Sequence, residues 1–211
     1  MFYKKKFFIF SIIFNYINAY NLCIVGGSSG LGRELIYQSL EKNSKILTLT
    51  NNPENIKIPY RGGGLENKNS NLLLRSPNLK ICNYHDFINY NFSNIVFTTG
   101  SKPFFKDYSD IITKKILECN SLNLKNIVLI SAYGVGDSLN NANAGIKIMN
   151  NLYLQDVYRA KNVQEELLNN YKKNNPTTNI HILRPKVLSY GINLYSAKSR
   201  ETLAKEILDY F

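Results

Sequence analysis

The sequence predicts an α/β fold, a doubly wound parallel sheet with helices on both faces in three α/β/α layers. Three observations carry that expectation. A short apolar run, Leu22-Cys23-Ile24-Val25, leads directly into a glycine-rich turn and then into an amphipathic segment, Glu34-Leu35-Ile36-Tyr37-Gln38-Ser39-Leu40. Along the rest of the chain, short runs rich in Ile, Val and Leu alternate with segments of helical period, the pattern of strands buried on both faces and joined by crossover helices. No internal repeat interrupts this alternation, and 211 residues suit one domain with a sizeable core.

Taken in order, strands are predicted over residues 22–26, 45–50, 79–83, 94–98, 126–131 and 179–183, each a run of Ile, Val, Leu or Thr bounded by turn-forming residues. Helices are predicted over residues 31–40, 107–120, 148–171 and 200–210, where apolar residues recur at helical spacing. Residues 51–78, which contain Pro53, Pro59, Gly62-Gly63-Gly64 and Pro77, read as an irregular connection, and the polar stretch 137–145 reads as another.

Composition narrows the class further. The chain carries 26 basic against 15 acidic side chains, a formal charge of +11. A basic surface attracts nucleic acid, anionic membrane or phosphorylated ligands. Here the cations are scattered, with no arginine-rich helix and no zinc or RNA-binding signature, so nucleic-acid binding is not expected. The joint richness in Asn, Lys, Ile and Tyr matches the coding bias of an AT-rich genome.

Residues 1–19 read as a targeting leader, a signal or organelle presequence, with residues 20–211 as a single domain. The cap Met1-Phe2-Tyr3-Lys4-Lys5-Lys6 is cationic, residues 7–17 are mostly apolar, and Ala19 offers a small residue at a cleavage point. Asn15 and Asn18 interrupt a run already too short for a stable membrane span. An N-terminal anchor or a buried leading strand is the alternative. A working leader implies an organelle such as a plastid, or the secretory pathway; without one the expectation is the cytoplasm. Cys23, Cys82 and Cys119 are odd in number and show no paired spacing, which suits reduced core thiols better than disulfides or a metal site. His85 and His181 are isolated from ligand-spaced partners, so no metal is expected.

The turn Gly26-Gly27-Ser28-Ser29-Gly30-Leu31-Gly32-Arg33 is the segment with the clearest chemistry. Glycines let the backbone turn sharply and approach a pyrophosphate, while the helix that follows supplies free N–H groups and a partial positive charge. Later landmarks follow in order: Asn126-Ile127-Val128-Leu129-Ile130-Ser131, then Tyr158-Arg159-Ala160-Lys161 with Glu165, then Ile182-Leu183-Arg184-Pro185, then Ser199-Arg200-Glu201-Thr202-Leu203-Ala204. With these landmarks the chain resembles the atypical short-chain dehydrogenase/reductases, the compact NAD(P)-binding proteins related to NmrA and biliverdin reductase B, over about residues 22–208.

That resemblance implies a Rossmann-like sheet holding a nicotinamide dinucleotide at the C-terminal strand ends. Gly26, Gly30 and Gly32 would form the phosphate turn. Ser28, Ser29 and Leu31 would offer backbone N–H groups, and the serines would add hydroxyls. After the second strand, Thr50-Asn51-Asn52-Pro53 has no carboxylate to repel a 2′-phosphate, and Arg33 could place positive charge beside it, so NADP is expected ahead of NAD. A solvated first-turn side chain is the alternative for Arg33. Asn83 stands where relatives often face adenine with an aspartate, and Thr98, Thr99 and Gly100 end the fourth strand beneath the ribose and nicotinamide. Ordinary turn chemistry would equally explain the threonines.

Short-chain dehydrogenases use a tyrosine four residues before a lysine, and the lysine lowers the tyrosine pKa and holds the ribose. Lys161 is present, but Val157 stands four before it. Tyr158 lies about 100° away around a helix, and Tyr153 lies too far along the axis. The candidates for catalysis are therefore Ser131, Tyr133 and Lys161. Each has a plain alternative: a serine satisfied by backbone, an aromatic filling a gap, a solvated helix lysine. Residues 186–191 should wall a substrate cleft, and Arg184 is expected to be structural, pairing with Glu165 or bonding backbone, with substrate binding as the alternative. Two functions compete: an NAD(P)H-dependent oxidoreductase acting on a small organic acceptor, and a non-catalytic dinucleotide-binding sensor or assembly factor.

Overall fold

The computed structural model describes residues 19–59, 69–100, 106–119, 122–140, 152, 154–186, 188–189 and 198–211. Residues 1–18 of the expected leader, Tyr153 and half of the expected substrate wall (187, 190 and 191) lie outside the described residues.

Six strands form the central sheet: β1 (Leu22–Val25), β2 (Ile46–Leu49), β3 (Leu79–Cys82), β4 (Asn94–Phe97), β5 (Asn126–Ile130) and β6 (Asn179–Leu183). All neighbours pair in parallel, in the order β6-β5-β4-β1-β2-β3. This is the doubly wound Rossmann-like arrangement expected from the sequence. Strand order reverses between β1 and β4, and the crevice at that switch point is where such sheets bind ligands.

Alternate strand residues face opposite sides, so each strand serves two cores. Cys23, Val25, Leu47, Ile95, Phe97 and Leu129 pack with residues of α2 (Ser109–Leu117) and α3 (Gln155–Asn174). Leu22, Ile24, Ile46, Val96, Val128 and Ile130 pack with α1 (Gly30–Glu41) and α4 (Arg200–Leu208). The three layers follow directly from that alternation. Cys23, Cys82 and Cys119 are free thiols, and burial pushes the Cys23 thiol well above its usual range, with Cys82 adding to the shift.

A chain of side-chain amides fixes the end of the sheet opposite the crevice. Asn179 Nδ2 donates to Asn126 Oδ1 at 2.9 Å, Asn126 Nδ2 to Asn94 Oδ1 at 2.9 Å, and Asn94 Nδ2 to the Asn21 carbonyl at 2.9 Å. Each asparagine opens its strand, so the ladder ties β6, β5, β4 and the entrance to β1 in register.

Two expectations need correction. The connection over residues 51–78 is not wholly irregular: Lys57–Pro59 pairs antiparallel with Asn69–Leu73 after a 3-10 turn at Pro53–Asn55. Ile56, 1% exposed, joins the α1 core, which gives this hairpin the place a crossover helix would take. Of the helix expected over 148–171, residues 148–151 and 153 lie outside the described residues; from Gln155 it is α3, set off by Leu154, which leaves helical geometry at φ −122°. It runs on to Asn174, where Lys172 and Lys173 complement the partial negative charge of the final turn. Lys172 Nζ also donates to the carbonyls of Pro176 and Thr178 at 2.9 and 2.6 Å.

Among the described residues, no helix is long and apolar enough to cross a membrane, and no group of three or more His, Cys, Asp or Glu could hold a metal ion.

Candidate functional site

At the switch point a cleft of about 460 Å³ opens between the turn after β1, the ends of β2 and β4, and the N-terminus of α2. The β1–α1 turn is shaped by three steric demands. Gly26 has φ +93°, a region L-residues rarely enter. A Cβ on Gly27 would lie 1.9 Å from Thr48 Oγ1, and one on Gly32 would lie 2.3 Å from the Gly26 carbonyl oxygen. The helix can start this close to the strand only with hydrogens at both positions. Gly27 was not singled out in the sequence, because its constraint comes from a threonine on the neighbouring strand.

The two turn serines have different tasks. Ser29 caps α1: its Oγ accepts the Gly32 N–H at 2.8 Å and donates to Thr98 Oγ1 at 3.1 Å. Thr98 Oγ1 in turn lies 2.9 Å from the Val25 carbonyl and 3.0 Å from that of Gly26, so Thr98 braces the turn from beneath. Ser28 ends a different relay. The Asn52 N–H donates to Thr50 Oγ1 at 3.1 Å, and Thr50 Oγ1 donates to Ser28 Oγ at 2.9 Å. Ser28 therefore keeps its own proton for the cleft it lines. The first-turn N–H groups of Gly30 and Leu31 have no acceptor among the described residues. Together these donors form a concave anion seat at a helix N-terminus.

Of the other expected cofactor residues, Asn51, Thr99 and Gly100 line the same cleft. Leu31 turns into the core. Arg33 is 2% exposed, and its guanidinium donates to the Asn55 carbonyl at 3.4 Å, behind the lining rather than in it. Asn83 borders a neighbouring hollow with Thr50, Cys82 and Tyr90. Tyr84, one residue on, lines the cleft instead, and burial pushes its phenol up to about 12. Lys106, Asp107 and Tyr108 complete the wall from the β4–α2 connection. Asp107 Oδ1 accepts the Ser109 N–H at 2.8 Å, which fixes this wall at the start of α2. Sequence reading missed these residues because they carry no motif; only the fold brings them opposite the glycine turn.

The residues considered for catalysis sit deeper. Lys161 is 4% exposed and donates to the carbonyls of Thr99 and Ile130 and to Gln164 Oε1, the last two at 2.9 and 3.0 Å. Burial lowers its pKa to about 8, against the opposing pull of Asp107 and Glu165. Ser131 follows β5, is 5% exposed, and its Oγ has no partner among the described residues; the same holds for Thr99 Oγ1. The Tyr133 ring lies under Lys186, whose Nζ is 5.1 Å from the ring centroid. Tyr158 donates its hydroxyl to the Tyr133 carbonyl at 2.8 Å, which holds that phenol away from the cleft lining. Arg184 pairs with Glu165 through two bonds of 2.9 and 2.7 Å, as its chemistry suggested.

With this geometry established, known proteins give a comparison. No protein-family model matches the chain, and no curated protein matches it in sequence. Solved structures do match in shape. The oxidoreductase ylbE from Lactococcus lactis aligns at TM-score 0.62 and 14% identity, covering 90% of this chain and 83% of that one. ChuY, an anaerobilin reductase from Escherichia coli O157:H7, aligns at 0.58 and 13%, covering 90% and 89%. WbmH from Bordetella bronchiseptica, solved in complex with NAD+, aligns at 0.55 and 13%, covering 81% and 56%. The chain has their fold. At these identities the likeness is one of architecture.

Proposed function

We propose that this protein is an atypical short-chain dehydrogenase/reductase-like oxidoreductase that binds a nicotinamide dinucleotide, NADP ahead of NAD, and acts on a small organic acceptor. The observation that carries this reading is the anion seat: Gly26, Gly27 and Gly32 crowd the backbone against α1, and the Ser28 hydroxyl and the Gly30 and Leu31 N–H groups remain available at the cleft. A diphosphate fits such a seat by charge and by donor geometry. Thr99 Oγ1, buried beside the cleft without a partner among the described residues, fits a polar group further along the same ligand. The fold neighbour WbmH holds NAD+, and two others are named as a reductase and an oxidoreductase, which supports the same class.

The preference for NADP rests on the end of β2. Asn51 and Asn52 line the cleft there with no carboxylate between them, and Lys106 lines it from the facing wall. A bound nicotinamide supplies hydride to an acceptor. The chain's own part is to seat the phosphates, hold the strand ends and offer the Ser131 hydroxyl to the reacting pair. The test is calorimetric titration with NADPH and NADH, followed by NADPH oxidation against a panel of quinones, flavins and carbonyls. Heat with neither coenzyme overturns the proposal.

A second reading is a dinucleotide-binding sensor without turnover. One observation favours it: Val157 stands where the proton-donating tyrosine belongs, and Tyr158 is tied to the Tyr133 carbonyl. Tight coenzyme binding with no oxidation on any acceptor in the panel would select it.

A further inference from the structure

Lys161 is the lysine that would partner the missing tyrosine, yet its surroundings assign it a different task. An ammonium has three N–H donors. Here they go to the Thr99 carbonyl, the Ile130 carbonyl and Gln164 Oε1. Thr99 and Ile130 lie at the C-terminal ends of β4 and β5, at or beyond the last pair of that ladder, Phe97 with Leu129. The lysine thus bridges two adjacent strands where their own pairing stops.

Gln164 holds the lysine in place. It is fully buried, accepts from Ser109 Oγ at 3.2 Å, and donates to Thr113 Oγ1 at 2.6 Å and to the Ser109 carbonyl at 3.3 Å. One amide therefore links α3 to α2 and presents an oxygen to Lys161. Asp107 and Glu165 favour the charged lysine against the cost of burial. Next to the bridged carbonyls stand two hydroxyls, Thr99 Oγ1 and Ser131 Oγ, that lack partners among the described residues.

We propose that Lys161 and Gln164 are positioning residues: they clamp the carbonyl ends of β4 and β5, do not touch the ligand, and so keep the Thr99 and Ser131 hydroxyls fixed and free for it. The ligand side of this rests on the dinucleotide reading; the clamp itself does not. It also reassigns the lysine of a tyrosine–lysine pair from ribose contact to backbone support, a task that needs no tyrosine.

Amide hydrogen exchange on the whole ligand-free protein tests the clamp. Lys161→Met and Gln164→Met should each speed exchange around Thr99 and Ser131 by about tenfold, the loss of one net buried hydrogen bond. Gln164→Glu, which keeps an acceptor for the lysine, should restore most of the protection. Unchanged exchange in both methionine variants overturns the proposal. If Lys161→Met fails to fold, the two Gln164 variants decide alone.

Ligand contact is tested separately with the parent dinucleotide and an analogue lacking the 2′-hydroxyl of the nicotinamide ribose. A clamp predicts that Lys161→Met weakens both by the same factor. A greater loss for the parent dinucleotide would show direct contact and overturn the proposal. If the wild-type protein binds neither, the dinucleotide reading fails, and the exchange experiment still decides the clamp.

Discussion

At the glycine turn the polar groups point outward: Ser28 keeps its proton for the cleft, and the Gly30 and Leu31 N–H groups have no acceptor among the described residues. At the far end, below Gly100, they point inward. Lys161 has all three N–H groups on protein acceptors, Gln164 makes bonds on α2, and Arg184 and Glu165 neutralise each other. One end is built to hold an anion. The other is built first to hold itself together, with the Thr99 and Ser131 hydroxyls left over among the described residues. In this molecule the seat lines the crevice and its supporting frame lies buried behind it, and substitutions should separate them.

The largest effect belongs to the frame. Glu165 has a side chain only 6% exposed, and Gly136, at φ +53°, packs so close that a Cβ there would lie 2.2 Å from Glu165 Oε2. Arg184→Leu leaves that carboxylate buried without its bidentate partner. The expected loss is about 3–5 kcal/mol of stability. Urea denaturation measures it, and a loss below about 1 kcal/mol would mean that solvent or Lys161 takes over the carboxylate.

Next comes the seat. Gly32→Ala pushes a methyl against the Gly26 carbonyl, a backbone atom that cannot swing aside. About 1–3 kcal/mol of stability should be lost to overpacking. Dinucleotide binding should disappear at concentrations where the protein is still folded. Wild-type affinity in a folded Gly32→Ala protein would show that the turn does not seat the phosphates. Loss of stability without loss of binding is the outcome for Arg184→Leu, and the contrast between the two variants defines the division.

These two variants also show what could be read in advance. The succession of strands along the chain, the glycine turn and the final helix were legible because each is a local signal: Ser199, for example, caps α4 by accepting the Thr202 N–H at 3.0 Å. The Arg184–Glu165 pair was legible because a buried arginine requires an anion, and a glutamate was available. The role of Gly27 was not, since it depends on Thr48 across the sheet. Nor was the far wall of the cleft, where Asp107 and Tyr84 arrive through folding with no spacing to announce them. The hairpin at Lys57–Pro59 was hidden because proline and asparagine signals masked a strand only a few residues long.

The pH dependence of stability comes third and again probes the frame. Lys161 has a pKa lowered to about 8 by burial, against 10.5 for the free side chain. Between those values the unfolded chain binds the extra proton, so rising pH favours the folded state; below about 8 both states are charged and the slope vanishes. Above pH 10 the opposite sign enters. Tyr84, raised to about 12 by burial, and Tyr90, raised to about 12 first by its bond to Cys82, keep their protons only when folded, so stability falls. Thermal melts from pH 7 to 12 should rise above pH 8 and then turn over above pH 10, and the rise should be absent in Lys161→Met. A rise that persists in that variant would assign it to another group.

The smallest effect is the sharpest test of the seat. Ser28 and Ser29 are adjacent and chemically identical, yet only Ser29 has its hydroxyl proton committed inside the protein, to Thr98. Ser29→Ala removes the cap on the Gly32 N–H and should cost about 1 kcal/mol of stability. Ser28→Ala removes only the end of the Asn52–Thr50 relay and should leave stability within about 0.5 kcal/mol. Its cost should appear in binding, as a three- to tenfold weaker dinucleotide, about what one neutral hydrogen bond contributes. Calorimetry and melting on the pair would give a crossed pattern, one serine moving stability and the other affinity. Equal effects on both quantities would mean that the two hydroxyls act as one structural unit, and that the turn presents only its backbone to the phosphates.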